Sequence, residues 1–110
     1  MEARYALMKA SDGTYFFRLK APNHDILLTS EPLPSRSDAR ERIDGCRRNS
    51  CDETRYDRKQ AADERFYFVL QDEQAQVIGK SELFPSRQVM ERGIDWCKRN
   101  GPTARLIETM

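Results

Sequence analysis

"PSRSDARERIDGCRRN" runs from Pro34 to Asn49, and "PSRQVMERGIDWCKRN" runs from Pro85 to Asn100. The two stretches lie 51 residues apart. Sliding residues 54–110 over 3–59 without a gap gives sixteen identities in fifty-seven positions, among them Arg4/Arg55, Tyr5/Tyr56, Phe17/Phe68, Leu19/Leu70, Ser30/Ser81 and Glu31/Glu82. Self-similarity at a fixed period marks a duplicated structural unit. Residues 54–59 belong to both windows, as the end of one copy and the start of the next.

Within the quoted stretches the apolar residues Ala39, Ile43 and Cys46, and Met90, Ile94 and Cys97, fall at i, i+4 and i+7. That spacing is one buried stripe of a helix. Ser35 and Ser86 each follow a proline and suit an N-cap, and Asp38 completes a capping-box pattern in the first copy. Arg47–Arg48 and Lys98–Arg99 place cations at the negative end of each helix dipole. Asn49 and Asn100 suggest left-handed caps, with Gly101 and Pro102 closing the second helix.

Outward from the helices the period falls to two. "RYALMK" (4–9), "TYFFRLK" (14–20), "DILLTS" (25–30), "RFYFVLQ" (65–71) and "QVIGKS" (76–81) read as strands, and "ARLIE" (104–108) as a last one. Each unit is therefore strand–strand–strand–helix–strand, with one strand shared between units. The expected fold is α+β: a tandem duplication of a β(3)-α-β unit, forming one antiparallel-rich sheet with two helices on one face. The expected organisation is a single domain over 1–110, made of two pseudo-twofold repeats, about 3–53 and 54–110.

The chain has 110 residues, 38% of them hydrophobic and 34% charged, with a formal net charge of +1. This balance excludes bulk attraction to nucleic acid or anionic membrane. No apolar run reaches the roughly 18 residues of a membrane span. "MEARYALMKASDG" lacks the basic and apolar regions of an export signal, so a cytoplasmic location is expected. Three cysteines without CxxC spacing then read as reduced thiols.

"RFYFVL", the Ser30–Glu31 and Ser81–Glu82 pairs, "RYDRK" between the halves and "GIDWCKRNG" at 93–101 together resemble the YegP-like family. This is a small bacterial domain of unknown function that occurs as tandem repeats or as dimers of single units. The resemblance covers essentially the whole chain and implies a pseudo-twofold duplication in one continuous sheet. It implies no activity. Two departures stand out: the family's Asn-Gly turn is here Asn23-His24 and Gln74-Ala75, and Gly93 is Arg42 in the first copy.

Residue chemistry adds little that is specific. The one histidine, His24, sits in a turn and reads as a surface residue; a Cys51–His24 pair has no support in the spacing. Cys46 and Cys97 lie on the buried stripes and read as small core hydrophobes, with a redox pair across the pseudo-axis as the sharper alternative. Glu31 with Glu82, and Asp44 with Asp95, are symmetry-related carboxylates that could form an acid dyad. Ion pairing of the aspartates with Arg40, Arg48, Arg92 and Arg99 is the plainer reading. There is no metal-ligand spacing and no phosphate-binding glycine loop, so no metal or cofactor is expected.

Strand alternation sends Phe17, Leu19, Phe68 and Leu70 toward the helices and Phe16, Arg18, Tyr67 and Val69 to the opposite, open face. The leading functional expectation is a non-enzymatic module that binds a protein or peptide through that face or a strand edge. A homodimer contact is a further use of the same face. The alternative is a nucleic-acid-associated protein using Phe16, Tyr67, Arg18 and the helix arginines. A thiol sensor or enzyme built on the paired cysteines or carboxylates comes third.

Overall fold

The computed structural model of the chain describes residues 2–108. The elements are β1 (Arg4–Lys9), β2 (Tyr15–Lys20), β3 (Ile26–Thr29), α1 (Arg36–Asn49), β4 (Tyr56–Gln60), β5 (Phe66–Gln71), β6 (Val77–Lys80), α2 (Arg87–Asn100) and β7 (Arg105–Glu108). A single 3-10 turn, Glu53–Arg55, precedes β4. The seven strands form one sheet in the order β4-β5-β6-β3-β2-β1-β7. All neighbours are antiparallel except β1 and β7, which run parallel. Two helices cover one face, as the duplicated pattern requires.

Local signals explain the helix starts. The Ser35 hydroxyl accepts from the Asp38 amide at 3.0 Å and the Ser86 hydroxyl from the Val89 amide at 3.2 Å. Each bond satisfies an amide that the first turn leaves without a partner. The helix ends differ from expectation. Asn49 and Asn100 are the last helical residues and are not left-handed; their side-chain amides donate back to the carbonyls of Gly45 and Trp96. The capping positions are Ser50 and Gly101, both in right-handed helical conformation. A short amide side chain can satisfy a last-turn carbonyl itself, which removes the need for a left-handed residue.

Left-handed backbone is used in the hairpins instead. His24 (φ 73) and Ala75 (φ 64) occupy equivalent places in the β2–β3 and β5–β6 turns. Gly13 (φ 88) and Glu64 (φ 71) do so in the β1–β2 and β4–β5 turns. The turns thus keep the backbone shape that an Asn-Gly pair would favour, but place side chains where only glycine is unstrained.

The core repeats itself across the pseudo-axis. Tyr5 meets Phe17 edge-on at 5.8 Å, and Tyr56 meets Phe68 in the same way at 5.5 Å. The Tyr5 hydroxyl donates to the Gly101 carbonyl and the Tyr56 hydroxyl to the Ser50 carbonyl, both at 2.6 Å. Each tyrosine therefore pins the C-terminal end of a helix to a strand. The repeated Ser-Glu pairs have a structural role of the same kind. Ser30 and Ser81 each accept from the amide of Phe17 or Phe68 at 2.9 Å and donate to the next residue's carbonyl.

Each β2–β3 or β5–β6 ladder shifts register once, between Leu19 and Lys20 and between Leu70 and Gln71. Such an irregularity re-aims side chains locally. It lets Leu27 join Leu28, and Ile78 join the Leu70 layer, in the core beneath the helices. The halves meet through one cross-strand pair, Thr29 with Lys80, which are themselves equivalent positions.

The sheet's two edges are unlike. After α2 the chain lays β7 beside β1. After α1 it passes into β4 itself, the counterpart of β1, so β4 has no flanking strand. Where β1 buries Leu7, β4 carries Arg58, held by Glu53 and Glu91 at 2.5 Å each. A charge turned toward the helix side of an unpaired strand discourages pairing with other chains.

Candidate binding face

The open face is assembled by register. Pairing Arg4 with Lys20 and Arg105, Ala6 with Arg18, and Thr29 with Arg18 and Lys80 puts these residues on the side away from the helices. Lys80 opposite Val69, Asp57 opposite Val69 and Lys59 opposite Tyr67 extend the same side. The strands thus present six cations, Arg4, Lys20, Arg18, Lys80, Lys59 and Arg105, against one carboxylate, Asp57. The whole chain is only +1. The open face is therefore richer in positive charge than the chain as a whole, although Glu31 and Glu82 stand at its rim.

Of the four residues expected on this face, Phe16, Arg18 and Tyr67 are half-buried. Val69 is only 7% exposed, so it is a floor and not a contact surface. It lies in mid-sheet, flanked across the strands by Asp57 and Lys80, whose longer side chains shield it. Neither aromatic ring is bare. The Arg18 guanidinium lies over Phe16 at 5.4 Å and the Lys80 ammonium over Tyr67 at 4.8 Å. These cation–aromatic pairs sit on opposite sides of the pseudo-axis. Between them is a concavity of about 440 Å³, floored by Val69 and Val77 and bordered by Arg18, Lys80, Glu31 and Glu82. The Arg18 Nε is buried without a hydrogen-bond partner among the described residues.

Lys80, Arg4, Lys20, Lys59 and Arg105 were not among the sequence-derived site residues. The alternation in β1 points Arg4 outward, whereas β4 is polar on both faces after Tyr56 and carries no such signal for Lys59. Lys80 is found only through its pairing with Thr29, because a four-residue strand beside a bulge carries little periodicity of its own.

Two grooves on the helix side are also related by the duplication. One, about 350 Å³, runs between α1 and the β5–β6 turn and is lined by Asp38, Glu41, Arg42, Arg48 and Asp72. Its counterpart, about 530 Å³, runs between α2 and the β2–β3 turn and is lined by Leu27, Phe84, Val89, Arg92, Gly93 and Trp96. The same architecture gives a polar groove in one half and an apolar one in the other.

The expected chemistry of the paired residues is changed by burial. Cys46 and Cys97 are both free and fully buried, while Cys51 is exposed. Burial pushes the Cys46 thiol up to about 12, partly offset by a hydrogen bond with Tyr5. Burial also raises Cys97 well above its ordinary value, and the nearby Cys46 raises it further. Both are neutral core groups, and a thiol is a poor nucleophile in that form. Asp44 is exposed and pairs with Arg47 at 3.2 Å, not with the arginines at i±4. Glu31 and Glu82 are exposed on the rim of the open-face concavity. His24 Nδ1 is 2.5 Å from the Arg4 guanidinium. No group of three or more metal-binding side chains occurs among the described residues. No helix there is long and apolar enough to cross a membrane.

The same fold is found in solved relatives. The solution structure of YegP, a protein of unknown function from Escherichia coli, superposes with a TM-score of 0.93 at 37% identity, covering 99% of this chain and 94% of that one. The solution structure of a UPF0339 protein from Shewanella oneidensis gives 0.92 at 33% identity, covering 98% and 92%. In sequence, a UPF0339 protein of Acinetobacter baylyi is 40% identical over 104 residues, 94% of each chain. With pseudo-symmetric halves, a repeated core and such relatives in hand, two further matches close the question of kinship. Residues 10–57 and 61–108 each match the domain of unknown function DUF1508, and the chain belongs to that family as a tandem pair.

Proposed function

We propose that this protein is a non-enzymatic binding module that holds an acidic, extended protein segment on the open face of its sheet. One observation carries the reading: the strands of this face present six cations against Asp57, and even with Glu31 and Glu82 on its rim the face holds more positive charge than a chain whose total is +1. A field of one sign steers a partner of the other and fixes its register. The same charge opposes face-to-face pairing of two copies. The cysteines, buried and protonated, support a role without thiol catalysis. A cytoplasmic setting, where thiols stay reduced, is part of this proposal.

A second reading, single-stranded nucleic acid, is favoured by Phe16 and Tyr67 beside the cations, since bases stack on aromatic rings. Arg18 and Lys80 already cover those rings, which supports the peptide. A titration of two fluorescent probes separates the readings: a peptide of about ten residues alternating Glu with apolar residues, long enough to cross the sheet, and an oligothymidylate of similar length. Peptide binding that weakens at least tenfold in Arg18→Ala/Lys80→Ala is the expected result. Binding of the oligonucleotide alone, with a steep salt dependence, replaces the proposal with the second reading.

A further inference from the structure

We propose that the groove between α2 and the β2–β3 turn receives an arginine side chain from a partner protein, with its guanidinium at the Ile26 carbonyl. The duplication itself identifies the occupant. In the first repeat's groove, beside α1, the chain fills the equivalent place with its own side chain: Arg42 donates from Nη1 to the Val77 carbonyl at 2.6 Å. The counterpart of Arg42 is Gly93, and the counterpart of Val77 is Ile26. Both line the second groove. Glycine has no side chain to reach Ile26, so the carbonyl that Arg42 satisfies in one half lacks that donor in the other. Nor is α2 able to supply it, because the Phe84 ring lies 2.9 Å from where a Cβ on Gly93 would begin. In front of that ring about 530 Å³ stays open.

Walls and charge suit the same occupant. Leu27, Val89 and Trp96 offer apolar sides to the methylene stem of an arginine. Guanidinium is planar and weakly hydrated and stacks on aromatic rings, as Arg99 does on Trp96 at 5.7 Å. With Arg42 set aside, the first groove sets Asp38, Glu41 and Asp72 against Arg48. The second sets Asp25 and Glu82 against Arg92. His24, also on this rim, accepts from the Arg4 guanidinium through Nδ1 and is neutral in that arrangement. Both grooves are therefore net acidic without their arginine. The site lies on the helix side of the sheet and does not depend on the basic open face.

Trp96 is the one tryptophan of the chain and is 40% exposed in the groove, so its emission reports occupancy. The probe is a blocked Ser-Leu-Arg-Leu-Ser peptide, titrated beside versions with citrulline or glutamate in place of arginine. Citrulline keeps the shape and loses the charge. The arginine peptide should shift Trp96 emission saturably, and citrulline should weaken binding about tenfold. Asp25→Asn/Glu82→Gln should weaken the arginine peptide about threefold. Phe84→Leu/Gly93→Arg, which rebuilds the first repeat's arrangement, should abolish the response. If that variant fails to fold by circular dichroism, the carboxylate variant carries the test. Arg18→Ala/Lys80→Ala should change nothing here, so this site and the open face stand or fall separately. Equal binding of the arginine and citrulline peptides, indifference to the carboxylate variant, or preference for the glutamate peptide overturns the proposal. So does the absence of any response. Trp96 emission that changes with protein concentration alone overturns it in favour of a second copy covering the groove.

Discussion

Leu28 in the first repeat and Gly79 in the second occupy equivalent positions beside the pseudo-axis, where β3 crosses β6. A side chain begun at Gly79 would meet the Leu28 side chain and the Thr29 carbonyl oxygen, each at 2.9 Å. Space there admits one side chain, and the first repeat supplies it. Ser50 and Gly101 repeat the pattern where the two helix ends converge: a Cβ on Gly101 would collide with the Ser50 side chain. At both places the backbones approach so closely that only one of the two equivalent positions carries a side chain.

A different rule governs the equivalent positions Arg42 and Gly93. Phe84 stacks on Phe68 at 6.2 Å, and a Cβ on Gly93 would lie 2.9 Å from the Phe84 ring. The first repeat has Leu33 in place of Phe84. There, Arg42 fits and donates to the Val77 carbonyl at 2.6 Å. Ring and glycine form one packing solution, leucine and arginine another.

The axis comparison is open to direct test. Gly79→Leu should cost about 3 kcal/mol, at the upper end for overpacking because one obstacle is backbone. Denaturant unfolding measures it. Adding Leu28→Gly should return at least half of that loss, and strictly additive losses would end the one-side-chain account.

At Gly93 the expected effect is smaller. Gly93→Arg should destabilise by about 2 kcal/mol, and by clearly less in a Phe84→Leu background that restores the first repeat's arrangement. Equal losses in both backgrounds would show that the ring is not the obstacle.

The last test concerns a feature the halves share. The folded-state pKa of both buried thiols is raised above the unfolded value of about 8.5, with Cys46 at about 12. Stability from keeping them neutral is full below about 8.5 and is lost as pH rises toward about 12. The slope is at most about 1.4 kcal/mol per pH unit for each thiol. Unfolding midpoints between pH 8 and 10 should fall in wild type and fall less in Cys46→Ala/Cys97→Ala. A thiol reagent should meanwhile label Cys51 alone in the native protein.

How much of this was legible beforehand varies by residue. Ala39, Ile43 and Cys46, with their counterparts, announce the helices because a 3.6-residue period survives in fourteen-residue elements. Ser35 and Ser86 mark the starts because capping is local chemistry. Asn49 and Asn100 misled because a side chain folded back onto Gly45 or Trp96 is invisible in sequence. Val69 misled in another way. Alternation tells which face a residue is on, but its exposure depends on Asp57 and Lys80 from neighbouring strands. The basic face was half legible: Arg18 was found, whereas Arg105 and Lys80 needed strand pairing over long sequence separations.

The sequence by itself determined the duplicated unit, the order of its elements, the sidedness of β2 and β5 and the buried stripe of each helix. These depend on near neighbours and on a period. Only the tertiary structure decided what happens where distant segments meet: the single side chain allowed at the axis, the burial of both thiols, the ion pairs that Arg58 and Glu108 make with the helix layer at the two sheet edges, and the gathering of six cations on the strands of one face. Each of these depends on which strand lies next to which, and register between strands is set by the whole core at once.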